Sequence, residues 1–180
     1  NISNNNISLE TTSTSVVGIS LETGANTTSV SKNKISKCKT TSAGSISYAR
    51  GIVVGTASAT SQITITNNLI YNVATAYGTT TAGGNAMGIM IGAIGTGTTY
   101  SVVTGGIDMY FNSVNLSGTY NRAGACTIDA LFLGSAVSAI NLKNNIFVNS
   151  TLNTNAAPST SKSYAIYCQS ANSAFTTIDF

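Results

Sequence analysis

A short phrase built around an asparagine recurs five times along the 180-residue chain. Each copy consists of an aliphatic residue or a methionine, two variable residues, the asparagine, one variable residue and another apolar residue. The central positions are Asn5, Asn33, Asn68, Asn112 and Asn145. Successive copies lie about 28 to 44 residues apart, so the spacing is irregular although the phrase is not. Such a repeat is typical of solenoids, in which each copy forms one coil and stacks on the next.

Two further phrases alternate with the asparagine phrase in strict order. One is a small residue followed by two apolar positions that flank a single residue, as in Gly51-Ile52-Val53-Val54. The other is a pair of alternating apolar residues before the asparagine, as in Ile63-x-Ile65. Period-2 alternation and β-branched residues predict strands, and no stretch has helical spacing with caps. The chain is therefore predicted to be an all-β parallel solenoid of about five coils, each with three short strands.

Stacked coils place equivalent residues about 4.8 Å apart, so the aliphatic columns become a continuous interior. The asparagines then form a ladder at a tight bend between two strands. Asparagine tolerates a left-handed backbone, and its amide can bond to the asparagine above and below. We therefore expect the five asparagines to be structural and not ligand-binding.

The composition fits one repetitive segment of a longer protein. Charged residues make up 7% of the chain, against roughly 25% in average proteins, and Ser, Thr, Asn and Gly fill the polar positions. Neither the start at Asn1 nor the end at Phe180 resembles the caps that solenoids need. We expect residues 1–180 to be a single β-helix segment with uncapped ends, whose open edges favour self-association.

Several function classes are disfavoured by what the sequence lacks. Without histidine it has no His-based triad or His metal site, and no cofactor fingerprint occurs. No apolar run of about 18 residues predicts a membrane span. Three cysteines cannot all pair, and Cys168 lies in an apolar strand phase, which predicts a buried free thiol. The only basic cluster is interpreted as a solvated strand edge and not as a nucleic-acid site: Lys32, Lys34, Lys37 and Lys39.

This order of strands and bend asparagines resembles the right-handed parallel β-helix of the pectate-lyase-like superfamily. The segments 141–149 and 164–167 are also similar to repeats of large secreted bacterial surface proteins. The resemblance covers nearly the whole chain and implies a right-handed coil and an extracellular or cell-surface location. It also implies that the Gly-Ile-x-Ile strand lies on the face where the lyases build their substrate groove. Those enzymes use clustered carboxylates for Ca²⁺ with an Arg or Lys base, or two to three Asp residues for hydrolysis.

The acidic residues offer one candidate catalytic pair. Asp108, Asn141 and Asp179 each follow an isoleucine in the same phase and are predicted to share an outward column. Two strand spacings would separate Asp108 from Asp179 by about 9.5 Å, the upper limit of the roughly 6.5–9.5 Å expected for an inverting glycosidase pair. The alternative is an ordinary polar face. Arg122 would then be a solvated loop cation instead of a catalytic partner.

A second outward column is unusually apolar. It lies between the paired aliphatics of the Gly-Ile-x-Ile phrase and contains Ser20, Val53, Met90, Phe132 and Tyr167. An apolar stripe of this length is either covered or binds something. The favoured interpretation is a cover formed by a long connection, 73–85 or 92–106. The alternative is a binding site for sugar rings or for a neighbouring chain. This face is predicted to lack the acids and arginine of an enzyme groove.

These observations favour a non-catalytic structural or adhesive segment of a secreted or cell-surface protein, with polysaccharide or a neighbouring chain as partner. A polysaccharide lyase or glycoside hydrolase using outward Asp residues is the first alternative. An ice- or carbohydrate-binding module is the second. Thr64-x-Thr66 is a single threonine pair, and no threonine column persists over the coils.

Overall fold

The structure is a computed structural model that describes residues 1–41, 47–75, 86–93, 103–120, 127–154 and 162–179. Within these ranges the chain forms seventeen β-strands and one short 3-10 helix, Asn172–Ala174. The strands belong to three parallel sheets, and successive strands of each sheet come from successive coils. The predicted all-β parallel solenoid is confirmed.

Each coil contributes one strand to each sheet. Sheet 1 consists of β1 (Ile2–Ser3), β4 (Thr27–Ser31), β7 (Gln62–Thr66), β11 (Val103–Tyr110), β14 (Ala136–Lys143) and β17 (Phe175–Asp179). Sheet 2 consists of β3 (Ser15–Leu21), β6 (Tyr48–Val54), β10 (Ala86–Ile91), β13 (Thr127–Leu133) and β16 (Lys162–Cys168). Sheet 3 consists of β2 (Asn6–Thr11), β5 (Lys34–Thr40), β8 (Leu69–Tyr71), β12 (Ser113–Tyr120) and β15 (Ile146–Asn153), and β9 (Ala74–Thr75) also pairs with β5.

The strand registers superimpose the three sequence phrases. In sheet 1, Ile63 pairs with Ile107 and Ile107 with Ile140, and in sheet 2, Ile52 pairs with Ile89. These columns are buried between the three sheets and form one apolar core that runs through the described coils. Burial of β-branched and leucine side chains over several coils supplies the main stabilising term of the fold.

The small residue of the Gly-Ile-x-Ile phrase is required by a close approach between sheets 2 and 3. A Cβ added at Gly51 would lie 2.5 Å from the carbonyl oxygen of Gly88 and 2.7 Å from Cγ2 of Ile70. The phrase therefore begins with glycine in the earlier coils. Later coils have alanine in the same column, at Ala130 and Ala165.

The bend at the asparagine phrase contains one residue with a left-handed backbone conformation. This is the residue before each ladder asparagine. The five residues with positive φ at this bend are Asn4, Lys32, Asn67, Phe111 and Asn144, with φ between 52° and 59°. None of the ladder asparagines has positive φ. The expectation that the ladder asparagine itself adopts the left-handed conformation was therefore wrong, because the preceding residue adopts it. The ladder asparagine has negative φ, and its side chain points inward.

An extra residue in β5 changes which side chains share its outer face. Ser8 pairs with Ser36 and Glu10 with Lys39, so β5 has one residue more than β2 over this stretch. Lys37 lies there with φ 52°. A bulge of this kind shifts the phase of the strand by one residue.

Candidate functional site

The asparagine ladder is complete from Asn5 to Asn145. Each Nδ2 donates to Oδ1 of the next asparagine, at 2.9 Å from Asn5, 3.0 Å from Asn33, 2.9 Å from Asn68 and 2.9 Å from Asn112. The same Oδ1 atoms also accept a backbone N–H, and most Nδ2 groups donate again to a carbonyl of the preceding coil. The ladder prediction is confirmed. Because the buried amides use their hydrogen-bonding capacity within the scaffold, they have none left to offer a ligand.

The predicted acidic column does not form. Asp108 pairs with Asn141, whose Nδ2 donates to Oδ1 of Asp108 at 2.6 Å. Asn141, however, pairs with Thr177, and Asp179 pairs with Lys143. The strand β17 therefore lies two residues from the predicted register, so that Ile178 pairs with Leu142 and not with Ile140. This register places the Cα of Asp179 about 12 Å from that of Asp108. The spacing argument for a catalytic pair therefore fails.

Asp108 does act on its own surroundings. The pKa of the Tyr110 hydroxyl is raised, first by burial and then by a hydrogen bond and Coulomb interaction with Asp108. Such interactions between neighbouring polar side chains are typical of a polar outer face, here that of sheet 1. Arg122, the proposed partner of the acidic pair, lies outside the described residues.

The apolar column on the outer face of sheet 2 forms as predicted. Val53 pairs with Met90, Met90 with Phe132, and Phe132 with Tyr167. We call these four residues the outer stripe. Val53, Met90 and Phe132 are buried together with Met87, and Val17 and Tyr167 pack against them. The outer face of sheet 2 thus has a second apolar cluster, separated from the main core by the sheet itself.

This burial matches the interpretation that the outer stripe is covered. The connections expected to cover it, 73–85 and 92–106, lie largely outside the described residues. Val53, Met90 and Phe132 present no surface to a ligand in this structure. Of the outer stripe, Tyr167 alone keeps partial exposure, so the predicted binding role is a hypothesis that would need this face to open.

Three aromatic rings continue the outer stripe at its Tyr167 end. The rings of Phe132 and Tyr167 meet edge to face, with centroids 5.7 Å apart and an interplanar angle of 66°. Tyr164 and Tyr167 stack with centroids 4.8 Å apart and an angle of 15°. Both tyrosines are half-buried. Such pairs stabilise each other beyond their simple area burial.

A second outward column on the same face was missed by the sequence analysis. It contains Arg50, Met87, Asp129 and Tyr164, aligned by the registers of β6, β10, β13 and β16. The expectation that this face lacks acids and arginine was therefore wrong. The two outward columns are three residues apart instead of two, because the small residue at Gly51 or Ala130 interrupts the alternation. Arg50 and Asp129 can be found in the sequence, because each directly precedes the small residue of its phrase.

Asp129 has unusual surroundings for a carboxylate. Its side chain is fully buried, and Oδ2 accepts a hydrogen bond from the Thr127 hydroxyl at 2.9 Å. Within the described part of the chain, Oδ1 has no hydrogen-bond partner. Burial raises the pKa of Asp129 to about 7, and the Thr127 hydrogen bond only partly opposes this. A carboxyl group with such a pKa can both donate and accept a proton near neutral pH.

Arg50 lies in the same column as Asp129 but is two strands away. Met87 separates them, so their Cα atoms are about 10 Å apart. Arg50 is largely buried, and its Cζ lies 4.7 Å from the centroid of the Tyr48 ring, a cation–π distance. The face therefore carries a buried cation and a buried acid at opposite sides of an apolar residue.

The described cysteines are free thiols. Cys38 is buried in the main core, and burial raises its pKa to about 11, which makes the thiolate scarce at neutral pH. Cys168 is half-buried on the last strand of sheet 2, less enclosed than the buried thiol predicted for it. Cys126 lies outside the described residues.

A small cleft lies where sheets 2 and 3 meet. Its volume is about 40 Å³, and its lining includes Thr75, Ser117, Tyr120 and Thr151. This volume accommodates a few water molecules.

Comparisons with known proteins give no relative: no protein family, curated protein or solved structure matches the chain. Within the described ranges, no group of three or more His, Cys, Asp or Glu side chains is placed to hold a metal ion. The described residues also include no helix with the length and apolar character needed to span a membrane.

Proposed function

We propose that this chain is a structural, adhesive segment of a secreted or cell-surface protein. The observation that carries the proposal is the unbroken asparagine ladder from Asn5 to Asn145, which links the coils through satisfied buried amides. A solenoid held in this way is a stiff rod that displays its outer faces at a fixed distance from its attachment. The resemblance to repeats of large secreted bacterial surface proteins agrees with this role. Edge-to-edge association of copies belongs to the same proposal.

Two measurements on residues 1–180 test this role. Amide hydrogen exchange should show the backbone N–H groups of Asn33, Asn68 and Asn112 exchanging only with global unfolding, because each donates to the next ladder oxygen. Beads coated with the segment should adhere to intact cells or to immobilised polysaccharide. Rapid exchange at these amides would contradict the rod. If the beads adhere to none of the tested surfaces and the segment does not self-associate, the adhesive role is contradicted.

A second candidate function is a polysaccharide lyase or glycoside hydrolase of the pectate-lyase-like kind. The buried carboxyl of Asp129 favours it, since a pKa of about 7 beside the stacked Tyr164 and Tyr167 suits general acid–base chemistry. The cover of the outer stripe would have to open for substrate to reach this carboxyl. Reducing-end and unsaturated-product assays on a panel of polysaccharides test it. Activity lost in Asp129→Asn but kept in Asp108→Asn and Asp179→Asn would support Asp129, and the reverse pattern would contradict it.

A further inference from the structure

The outer face of sheet 3 is rich in basic residues. Lys34, Lys37 and Lys39 lie on β5, and Lys32 lies at the bend that leads into it. These are four of the eight Lys and Arg residues of the chain. Glu10, opposite Lys39 on β2, is the carboxylate that the strand register places beside them.

The bulge at Lys37 puts these lysines on one face. Lys34 faces outward, since Ile35 beside it is buried in the main core. A regular strand would then point residue 38 outward and residues 37 and 39 inward. The extra residue reverses this: Cys38 is buried, Lys37 is exposed and Lys39 is half-buried. Lys37 adopts a left-handed backbone conformation, which is strained for a lysine within a strand. This conformation places on one face lysines that regular alternation would place on opposite faces.

Aliphatic side chains share this face with the lysines. Leu69 and Ile146 are 43% and 60% exposed, although their neighbours Ile70 and Phe147 pack into the main core. Val148 is 44% exposed, and Phe111, at the left-handed bend before β12, is 57% exposed. Alternation therefore directs large apolar groups into solvent.

Basic and apolar residues share rows across the sheet, and Lys34 lies directly beside Leu69. One row across the sheet reads Lys34, Leu69, Ser113 and Ile146, and the next reads Ser36, Tyr71, Asn115 and Val148. Tyr71 joins the two groups, since Nζ of Lys34 lies 5.8 Å from the centroid of its ring. Hydrogen bonds with Lys34 and Ser36, together with the charges of Lys34 and Lys37, lower the pKa of the Tyr71 hydroxyl. We call this surface the sheet 3 face.

We infer that the sheet 3 face binds the surface of an anionic lipid bilayer without crossing it. The lysines match anionic headgroups, and Leu69, Ile146 and Phe111 are placed to enter the apolar zone just below them. A hydrated polysaccharide or a nucleic acid would satisfy the lysines but leave the aliphatic groups in water. This inference goes beyond the proposed scaffold role and does not depend on it.

Vesicle sedimentation of residues 1–180 tests the inference. We expect binding to vesicles in which phosphatidylcholine is mixed with anionic phosphatidylglycerol and not to vesicles of phosphatidylcholine alone, with weaker binding in high salt. Lys34→Gln with Lys39→Gln should lower the partition coefficient roughly thirtyfold, at about 1 kcal/mol per lysine. The matched control is Lys143→Gln with Lys162→Gln, on sheets 1 and 2, which should change it little.

The apolar part has its own variants. Leu69→Ser with Ile146→Ser should weaken binding to the anionic vesicles, and Val103→Ser, an exposed valine of sheet 1, serves as control. Circular dichroism and melting temperature check that each variant folds. Equal binding to neutral vesicles, equal effects of control and test variants, or tighter binding to soluble acidic polysaccharide than to vesicles would each overturn the lipid assignment. A dimer in sedimentation that Ile146→Ser dissociates would assign the face to a second copy instead.

Discussion

Asn112 and Asn145 are joined twice through one oxygen. Oδ1 of Asn145 accepts the side-chain amide of Asn112 at 2.9 Å and its backbone N–H at 3.0 Å. Asn112 is fully buried, so neither group has water as an alternative partner. The relationship repeats in each coil and makes the ladder a vertical connection through an otherwise apolar interior.

Replacing Asn112 tests the energetic value of this connection. Asn112→Leu should lower the free energy of unfolding by roughly 1–3 kcal/mol, because the amides of Asn68 and Asn145 lose partners in a buried site. Urea denaturation measures this change. Asn115→Leu, an exposed position on the same strand, is the matched control and should have little effect. An unchanged unfolding midpoint for Asn112→Leu would argue against a stabilising ladder.

Phe111 has a backbone conformation that is unfavourable for an aromatic residue, with φ 57°. Three of the five equivalent bend residues are asparagine, which tolerates φ near 57°, whereas an aromatic residue there is strained. Phe111→Asn should therefore raise the free energy of unfolding by about 0.5–1 kcal/mol. Tyr110→Asn, one residue earlier on β11, should not stabilise. If Phe111→Asn is the more stable protein yet binds anionic vesicles less well, strain at this residue serves the sheet 3 face.

The close approach at Gly51 gives a prediction of opposite sign. Gly51→Ala should destabilise by about 1–3 kcal/mol, because the new methyl group meets the backbone of Gly88 and a side chain of sheet 3. Thermal denaturation is the measurement. Ala130→Gly, in the same column two coils later, should destabilise by about 1–2 kcal/mol for a different reason, since it removes a buried methyl group and adds backbone freedom without a clash. A Gly51→Ala protein that is as stable as the parent would mean that sheets 2 and 3 separate easily.

Asp129 should make stability depend on pH. Its pKa is about 7 in the folded protein and about 3.9 in an unfolded chain, so the folded state binds the proton more tightly. The free energy of unfolding should therefore fall as pH rises from about 4 to about 7, and level off above that range. The size of the effect is a few kcal/mol.

Two variants isolate this carboxyl group. Asp129→Asn keeps the shape without the charge and should be more stable than the parent at pH 8, with a flatter pH profile. Thr127→Val removes the hydrogen bond that favours the charged form and should deepen the loss of stability at high pH. Arg50 stays charged throughout and cannot produce this profile. Identical profiles for Asp129→Asn and the parent protein would refute the assignment.

The columns of equivalent residues follow from the repeated phrases. Three ordered phrases with β-strand periodicity admit only stacked parallel coils, so the core residues, the ladder and the outer stripe all follow from the repeating pattern alone. These features are set by local patterns that recur, and each copy reinforces the same register.

Features that do not repeat from coil to coil became visible only in the folded chain. An extra residue at Lys37 gathered the lysines, and a two-residue difference between the predicted and the observed pairing of β17 separated Asp179 from Asp108. The close contact at Gly51 and Ala130 offset the outward columns, so Arg50 and Asp129 fell where strict alternation placed no charge. Each outcome rests on an extra residue, a two-residue change of register or a close contact between strands, and period-2 patterning does not specify any of these.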